Sequence, residues 1–600
     1  MLHLLPVPRR MEYDDGVFSL TPDMCIVLEQ GSPLARTGAK QLQEEIRAAC
    51  GMQAEIRIGR ARMGDIRLAV EAAEPAQGYA LAITVDGAEV TGNDEAGLLH
   101  GVQTLRQIIR QSGWTLPCVR IVDAPDYPVR GFYHDQTRGR IGTMAWLKHL
   151  ADEACFYKLN QLQLYVEHTY LYRDLTELWA TAVDPLTPED IMALYDYCAA
   201  RGIELVPSMS SFGHLLELLR TKAYAHLCET EGSEQMPSTM PHRMAHLTID
   251  PCNPASYELI ASMLDEYMAL FRTKYFNVCA DETFDLGKGR NKGKSEQELY
   301  MPFVKKLCAH VAETGHTPMF WGDIVLRFPE ALRELPEGTI CLNWGYSAGE
   351  TEDPTRILAQ AGAKQYQCPG VCGWNQLLPR MADSHENIRR MAEYGRKYGA
   401  AGFLNTDWGD YGHVNDPRFS MPGMAAGACA AWGELPAPEE LWAALSRLMY
   451  SDRSGKALSH VAALSEQQKY SWWHIVQHME WTCGRLDEMH AVSPMGHLPD
   501  DVVRQADEAI DRAVAGLKEC ALHMDAAQRP MLMNWLIAAE GVRLWNDVGH
   551  AVSAGRKDTA LANSLERWCR RYQQMWREVS RESELWRIRE VCTWYAEQMR

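Results

Sequence analysis

No run of about 18 apolar residues occurs anywhere in this 600-residue chain, so a helical membrane span is not expected. There is also no basic stretch long enough to offset a formal charge of −19. The general field therefore repels nucleic acid and anionic membrane and suits neutral or cationic ligands. No Cys-x-x-Cys pair stands beside a matching His or Cys set, which removes the common zinc frameworks. The opening Met1-Leu2-His3-Leu4-Leu5-Pro6 has neither a positive n-region nor a sustained apolar stretch, so no signal peptide is expected. The 17 cysteines are odd in number and irregularly spaced. Several sit in apolar runs such as Asn277-Val278-Cys279-Ala280, where free thiols act as small hydrophobes, and a reducing cytoplasm is the expected compartment.

What remains is an ordinary globular composition, 46% hydrophobic and 23% charged, with little room for long disorder. Cores stop growing at roughly 250 to 300 residues, so two or three domains are expected. Strands Ala80 to Val85 and Ala88 to Thr91 around an Asp86-Gly87 turn, then a helix marked by Leu98, Val102, Leu105 and Ile109, predict an α+β domain over residues 1–125. Asp123-Ala124-Pro125-Asp126-Tyr127-Pro128 breaks any regular element.

From Val129 to Gly433 short apolar runs alternate with amphipathic helices, the pattern of parallel βα units. Eight strands are predicted: Val129 to Tyr133, Gln161 to Val166, Ile203 to Pro207, Tyr275 to Ala280, Pro318 to Trp321, Ile340 to Trp344, Gln365 to Cys368 and Gly402 to Asn405. Thr187-Pro188-Glu189-Asp190 supplies an N-cap, a first-turn proline and acidic residues for one intervening helix, and Gly202 closes it. The fold class is thus α/β, a (β/α)8 TIM barrel over 126–435. After Pro436 only helical patterning remains, with Val503, Ala506, Ile510, Ala513, Leu517 and Cys520 spaced by three and four, so 436–600 is an all-helical region. Its tryptophans, Trp472, Trp473, Trp535, Trp568, Trp576 and Trp586, are at helical spacing and mostly core.

Barrel enzymes place chemistry at the carboxyl ends of their strands. The fourth strand ends in Asp281-Glu282; taken alone, such a pair is usually a helix cap or a solvated loop. Three further ends carry Trp321, Trp344 and Trp408, each followed by glycine, with Asp410 two residues after the last. Aromatic faces beside carboxylates are what a pyranose needs: its C–H face packs on indole while its hydroxyls bond to acids and arginine. Arg130 opens the first strand and His214 follows the third; a structural ion pair and a satisfied core histidine are the bland readings of each.

Taken in order, these features resemble glycoside hydrolase family 20, the β-N-acetylhexosaminidases, over about the first 430 residues. The likeness rests on Gly78-Tyr79-Ala80-Leu81 and Gly97-Leu98-Leu99-His100-Gly101-Val102-Gln103-Thr104-Leu105 in the N-terminal domain. It also rests on the barrel entry Val129-Arg130-Gly131-Phe132 with Asp135-Gln136-Thr137-Arg138, the Asp281-Glu282 pair and the Trp408-x-Asp410 ending. The resemblance implies that Glu282 is the general acid/base and that Asp281 holds the substrate acetamido group. It implies that Arg130 and Asp410 bind ring hydroxyls, that Trp321, Trp344 and Trp408 enclose the sugar, and that His214 with Glu167 or His168 forms a supporting polar layer. Two departures mark a divergent, bacterial-type subgroup: Cys279-Ala280 stand where two glycines are common, and the segment after the seventh strand lacks the usual acetamido-binding tyrosine. Asn375, Trp374 or Tyr346 is left to take that tyrosine's place.

The implied reaction is exo-hydrolysis of terminal β-linked GlcNAc or GalNAc with retention, the substrate's own acetamido oxygen acting as nucleophile. Such a mechanism needs no metal or organic cofactor, and ionised Asp281 together with aromatic burial is expected to raise the pKa of Glu282. A barrel hydrolase of another substrate-assisted family, specialised for β-GalNAc or protein-linked GlcNAc, and a non-catalytic sugar-binding protein are the alternatives.

Overall fold

The computed structural model describes residues 2–179, 184–244, 246–486 and 495–600. Strands Arg10–Ser19, Cys25–Leu28, Glu55–Ile58, Ile66–Val70, Tyr79–Thr84, Gly87–Gly92 and Thr115–Asp123 (β1 to β7) form a mixed sheet in the order β1-β7-β5-β6-β4-β2-β3. The hairpin between β5 and β6 pairs Thr84 with Gly87, so its two-residue loop is Val85-Asp86, one residue earlier than the sequence pattern suggests. Helix Glu95–Ser112 starts where Asp94 accepts from Gly97 N (2.7 Å). It buries Leu98, Val102, Leu105 and Ile109 in a core that this sheet keeps largely to itself.

Strands Arg130–Asp135, Gln161–Val166, Glu204–Met209, Tyr275–Asn277, Thr317–Trp321, Ile340–Trp344, Lys364–Cys368 and Gly402–Asp407 (β8 to β15) close into a parallel barrel, β15 pairing back onto β8. All eight coincide with the predicted runs. The largest difference is β11, which leaves the ladder after Asn277 rather than at Ala280. Cys279 and Ala280 adopt φ of +57° and +69°, which turns the chain out of extended geometry. The helix Pro188–Ala199 begins with a full capping box between Thr187 and Asp190.

The remaining helices, Pro438–Tyr450, Ala457–Ser465, Trp472–Thr482, Asp500–Cys520, Arg529–Ser553, Thr559–Val579 and Leu585–Gln598, share one apolar cluster with the barrel. Val503, Ala506, Ile510, Ala513, Leu517 and Cys520 all face inward, as their spacing requires. Trp472, Trp535, Trp568 and Trp576 are buried, Trp473 is half-buried and Trp586 is exposed. Arg140 ties barrel to helices, donating to Ser580 Oγ (3.0 Å) and Tyr572 OH (3.0 Å) while lying 3.7 Å from the Trp576 ring centre. No described helix is long and apolar enough to cross a membrane.

Candidate active site

The carboxyl ends of the strands converge on Asp281 and Glu282. Cys279, Ala280 and Glu282 all take left-handed φ, the last +49°, a conformation that costs a non-glycine residue roughly 1–2 kcal/mol. Three such residues in four positions mark a turn held by its surroundings. Trp321 N donates to Cys279 O (2.9 Å), Tyr300 OH to Ala280 O (2.9 Å) and Glu282 N to Asp323 Oδ2 (3.0 Å). The strained turn projects both acids into the cup.

His214 sits behind the pair. Its Nε2 lies 3.2 Å from Asp281 Oδ2 and 3.4 Å from Glu282 Oε2, and His246 Nε2 lies 3.0 Å from the same Glu282 oxygen. Arg138 Nη2 lies 3.0 Å from His214 Nδ1. Asp281 and Glu282 outweigh burial and raise the His214 pKa to about 10, so the ring carries a proton on Nε2, facing the carboxylates. Burial raises the Glu282 pKa, but hydrogen bonds from His214 and His246 outweigh it and hold the carboxyl well below the usual range. This reverses the expected upward shift: Asp281 and the aromatic walls are present, yet two imidazole donors stabilise the Glu282 anion more than they penalise it.

Asp281 Oδ1 is buried and has no hydrogen-bond partner among the described residues. Asp323, behind Glu282 N, is pushed up to about 8 by burial and by Asp281, and Asp410 to about 6 mainly by burial. Asp410 Oδ2 accepts from Asn375 Nδ2 (3.4 Å).

The walls are aromatic. Trp321 is fully buried and forms the floor with Tyr133, Tyr165 and Trp408. Trp344 stacks on Tyr346 (5.0 Å between centres), Trp374 leans on Tyr346 (5.2 Å), and Trp408 Nε1 donates to Tyr346 OH (2.7 Å). Glu167 accepts from Tyr165 OH (2.7 Å) and stands 3.9 Å from Arg138. His168 is buried behind it, its Nδ1 3.8 Å from Glu167 Oε2.

One candidate residue is misplaced by the sequence reading. Arg130 opens β8, and a parallel barrel puts strand starts at the end opposite the cup, about 17 Å away for a six-residue strand. There it is wholly buried, donating to Lys158 O (3.0 Å), Tyr127 O (2.8 Å) and Gln77 Oε1 (2.9 Å) beneath Trp432. It seals the barrel bottom against the N-terminal sheet and cannot touch a ligand in the cup.

The arginine that does reach the cup is Arg138, the last residue of the Asp-x-x-Arg opening and so within the recognised motif. Asp135 orients it, accepting from Arg138 N (3.1 Å). Its guanidinium lies 5.0 Å from the ring centres of both Tyr165 and Trp408. His246 was also missed; it comes from the long segment after β10 and no local pattern announces it.

His214, His246 and Glu282 present three donor atoms close enough to hold a metal ion. Coordination at His214 Nε2 conflicts with the proton that Asp281 and Glu282 hold there. His497, Asp500 and His550 form a second, more exposed cluster.

A closed (β/α)8 barrel whose strand ends carry adjacent carboxylates inside tryptophan walls is the architecture of a glycoside hydrolase. Residues 1–124 match the model of glycosyl hydrolase family 20, domain 2, and residues 127–371 that of the family's catalytic domain. The chain belongs to glycoside hydrolase family 20. It is 27% identical over 273 residues to a beta-hexosaminidase of Akkermansia muciniphila, covering 40% of this chain and 55% of that protein. It is 24% identical over 387 residues to a beta-N-acetylhexosaminidase of Cellulomonas fimi, covering 61% and 73%. The matches span between 26% and 55% of the length of the first four curated relatives. The fold, helical region included, is similar to that of Flavobacterium johnsoniae chitobiase, with a TM-score of 0.62 at 17% identity over 94% of this chain and 96% of that one.

Proposed function

We propose that this protein is an exo-acting β-N-acetylhexosaminidase that removes terminal non-reducing β-linked GlcNAc or GalNAc with retention by substrate-assisted catalysis. The observation that carries this reading is Asp281 Oδ1, a buried carboxylate oxygen beside Glu282 that has no partner among the described residues. A buried acceptor without a partner costs about 1–3 kcal/mol, and an acetamido N–H in the cup would satisfy it. Tyr346 is the hydroxyl nearest in role to the family's missing tyrosine: it accepts from Trp408 Nε1, and it would exchange its hydrogen bond with Thr406, beside it, for one to an acetamido oxygen. Asn375 is spent on Asp410 and on Tyr411 N.

In the first step the acetamido oxygen attacks the anomeric carbon as the glycosidic C–O bond breaks, and Glu282 delivers a proton to the leaving oxygen. Asp281 stabilises the positive charge that develops on the oxazolinium ring. Glu282 then removes a proton from water, whose oxygen opens the ring from the same face as the departed group. Because His214 and His246 favour ionised Glu282 in the free protein, the proton that Glu282 donates is held on His214, whose pKa Asp281 and Glu282 raise to about 10. Arg138 and Asp410 flank the cup where ring hydroxyls lie.

The test is kcat/KM across a series of aryl β-GlcNAc substrates with successively fluorinated acetamido methyls. Each fluorine withdraws density from the attacking oxygen, so the rate falls stepwise; a flat series with bond cleavage rate-limiting refutes the mechanism. We also propose a reducing compartment, since all 17 cysteines are free thiols and 15 are buried; recovery of the native protein from an oxidising compartment would overturn this.

A further inference from the structure

Outside the cup, three metal-ligating side chains converge in the helical region. His550 is buried near the end of helix Arg529–Ser553, Asp500 begins helix Asp500–Cys520, and His497 stands just before it on an exposed segment. His550 Nε2 lies 2.8 Å from Asp500 Oδ1, and the rings of His497 and His550 are stacked with their centres 4.6 Å apart. One donor atom from each residue lies within 4.8 Å of the other two.

An imidazole beside a carboxylate is by itself an ordinary hydrogen bond. What sets this cluster apart is how His497 is held. It lies outside any helix, yet one buried hydroxyl fixes the chain on both sides of it: Tyr470 OH donates to Gly496 O (3.0 Å) and accepts from Leu498 N (3.1 Å). The ring is oriented as well. Ser553 Oγ gives its single proton to His550 O (3.0 Å), so toward His497 Nδ1, also 3.0 Å away, it accepts. The His497 proton therefore sits on Nδ1, and Nε2 carries a bare lone pair. A hydrogen bond that sets the tautomer from the other ring nitrogen is how proteins prepare a histidine to bind metal.

The spacing is close to what one ion needs. Tetrahedral bonds of about 2.0–2.1 Å separate donor atoms by about 3.3 Å and place two imidazole centres about 5 Å apart. His497 and Asp500 are exposed, so the closure that remains moves side chains that are not packed. Two imidazoles and one carboxylate select a late first-row ion such as zinc, whereas calcium and magnesium take shells of oxygen. We infer that His497, Asp500 and His550 form a zinc site, with water as the fourth ligand and Ser553 orienting His497. The ion would clamp the start of one C-terminal helix to the end of the next.

The test strips the full chain of metal with a chelator, then titrates it with ZnCl2 by calorimetry and with CoCl2 by visible absorption. The expected result is one saturable Zn²⁺ per chain and the intense visible bands of four-coordinate Co²⁺. His497→Ala, Asp500→Asn and His550→Gln each weaken Zn²⁺ binding at least about ten-fold, and Ser553→Ala weakens it by roughly ten-fold. Mg²⁺ and Ca²⁺ do not compete. Hydrolysis of an aryl β-GlcNAc without added zinc stays unchanged in all four variants. Because the readout is metal binding, failure of the catalytic reading leaves the site intact. Should His550→Gln fail to fold, the two exposed positions carry the test. No saturable binding, binding indifferent to the His497 and Asp500 substitutions, displacement by Mg²⁺ or Ca²⁺, or loss in His246→Phe instead overturns the proposal.

Discussion

His246 offers the sharpest test of how the cup manages its proton. Burial and the neighbouring His214 lower its pKa to about 4, so at working pH it is neutral and donates Nε2–H to Glu282 Oε2 over 3.0 Å. A hydrogen bond to a charged group is worth about 1.5–3 kcal/mol. At 1.36 kcal/mol per pKa unit, removing it raises the Glu282 pKa by about 1–2 units. His246→Phe keeps an aromatic ring and loses the donor. The sign follows directly: with the anion less stabilised, the protonated acid survives to higher pH. The limb of kcat/KM on which the acid loses its proton therefore moves to higher pH by about 1–2 units, and His246→Gln, which retains a donor, moves it less. The measurement is a full pH profile on an aryl β-GlcNAc, with Glu282→Gln as the variant that has no such limb. A limb that stays in place, or moves to lower pH, refutes the assignment of His246 as a positioning donor to the acid/base.

Three further outcomes are expected. Arg138→Ala lowers kcat/KM by at least about 10²-fold with the melting temperature little changed, whereas Arg130→Met costs about 3–5 kcal/mol of stability and leaves kcat/KM of the folded protein within about two-fold; equal effects on activity would overturn the reassignment. Glu282→Gln reduces turnover about 10² to 10⁴ fold on alkyl glycosides and least on aryl glycosides with acidic leaving groups, read from kcat with each substrate. Asp323→Asn flattens the pH dependence of stability. Its pKa is raised to about 8, so between about pH 4 and 8 the unfolded chain loses a proton that the native protein keeps, and stability falls as pH rises through that window. Melting curves at pH 5 and 8.5 should show the variant gaining on the wild type only at the higher pH.

Much of this molecule is legible from local pattern. The eight barrel strands are runs of apolar residues bounded by capped helices, as in Gln161 to Val166 and the Thr187 capping box, and such signals depend only on neighbours a few residues away. The Asp281-Glu282 pair and the three tryptophan-glycine endings were readable for the same reason, since strand polarity assigns them to one end of a barrel. The Arg-Gly, Asp-x-x-Arg opening held both the arginine at the barrel bottom and the one that reaches the cup. Arg130 and Arg138 stand eight residues apart in sequence, and only the strand between them sends one to each end.

Charge states were out of reach altogether. The sequence places Asp281 and tryptophans around Glu282, which argues for a raised pKa, but His246 arrives from a segment 36 residues upstream and reverses the balance. The left-handed turn at Cys279-Ala280 shows the same limit, because those residue types do not announce a positive φ; neighbouring strands and Tyr300 impose it. Amino-acid sequence by itself determined the βα rhythm, the helical tail and the acids at the strand ends, because these follow from periodicity and chain direction. Which arginine reaches the cup and which histidine stands against Glu282 were decided by tertiary structure alone, because each depends on segments brought together only when the barrel closes.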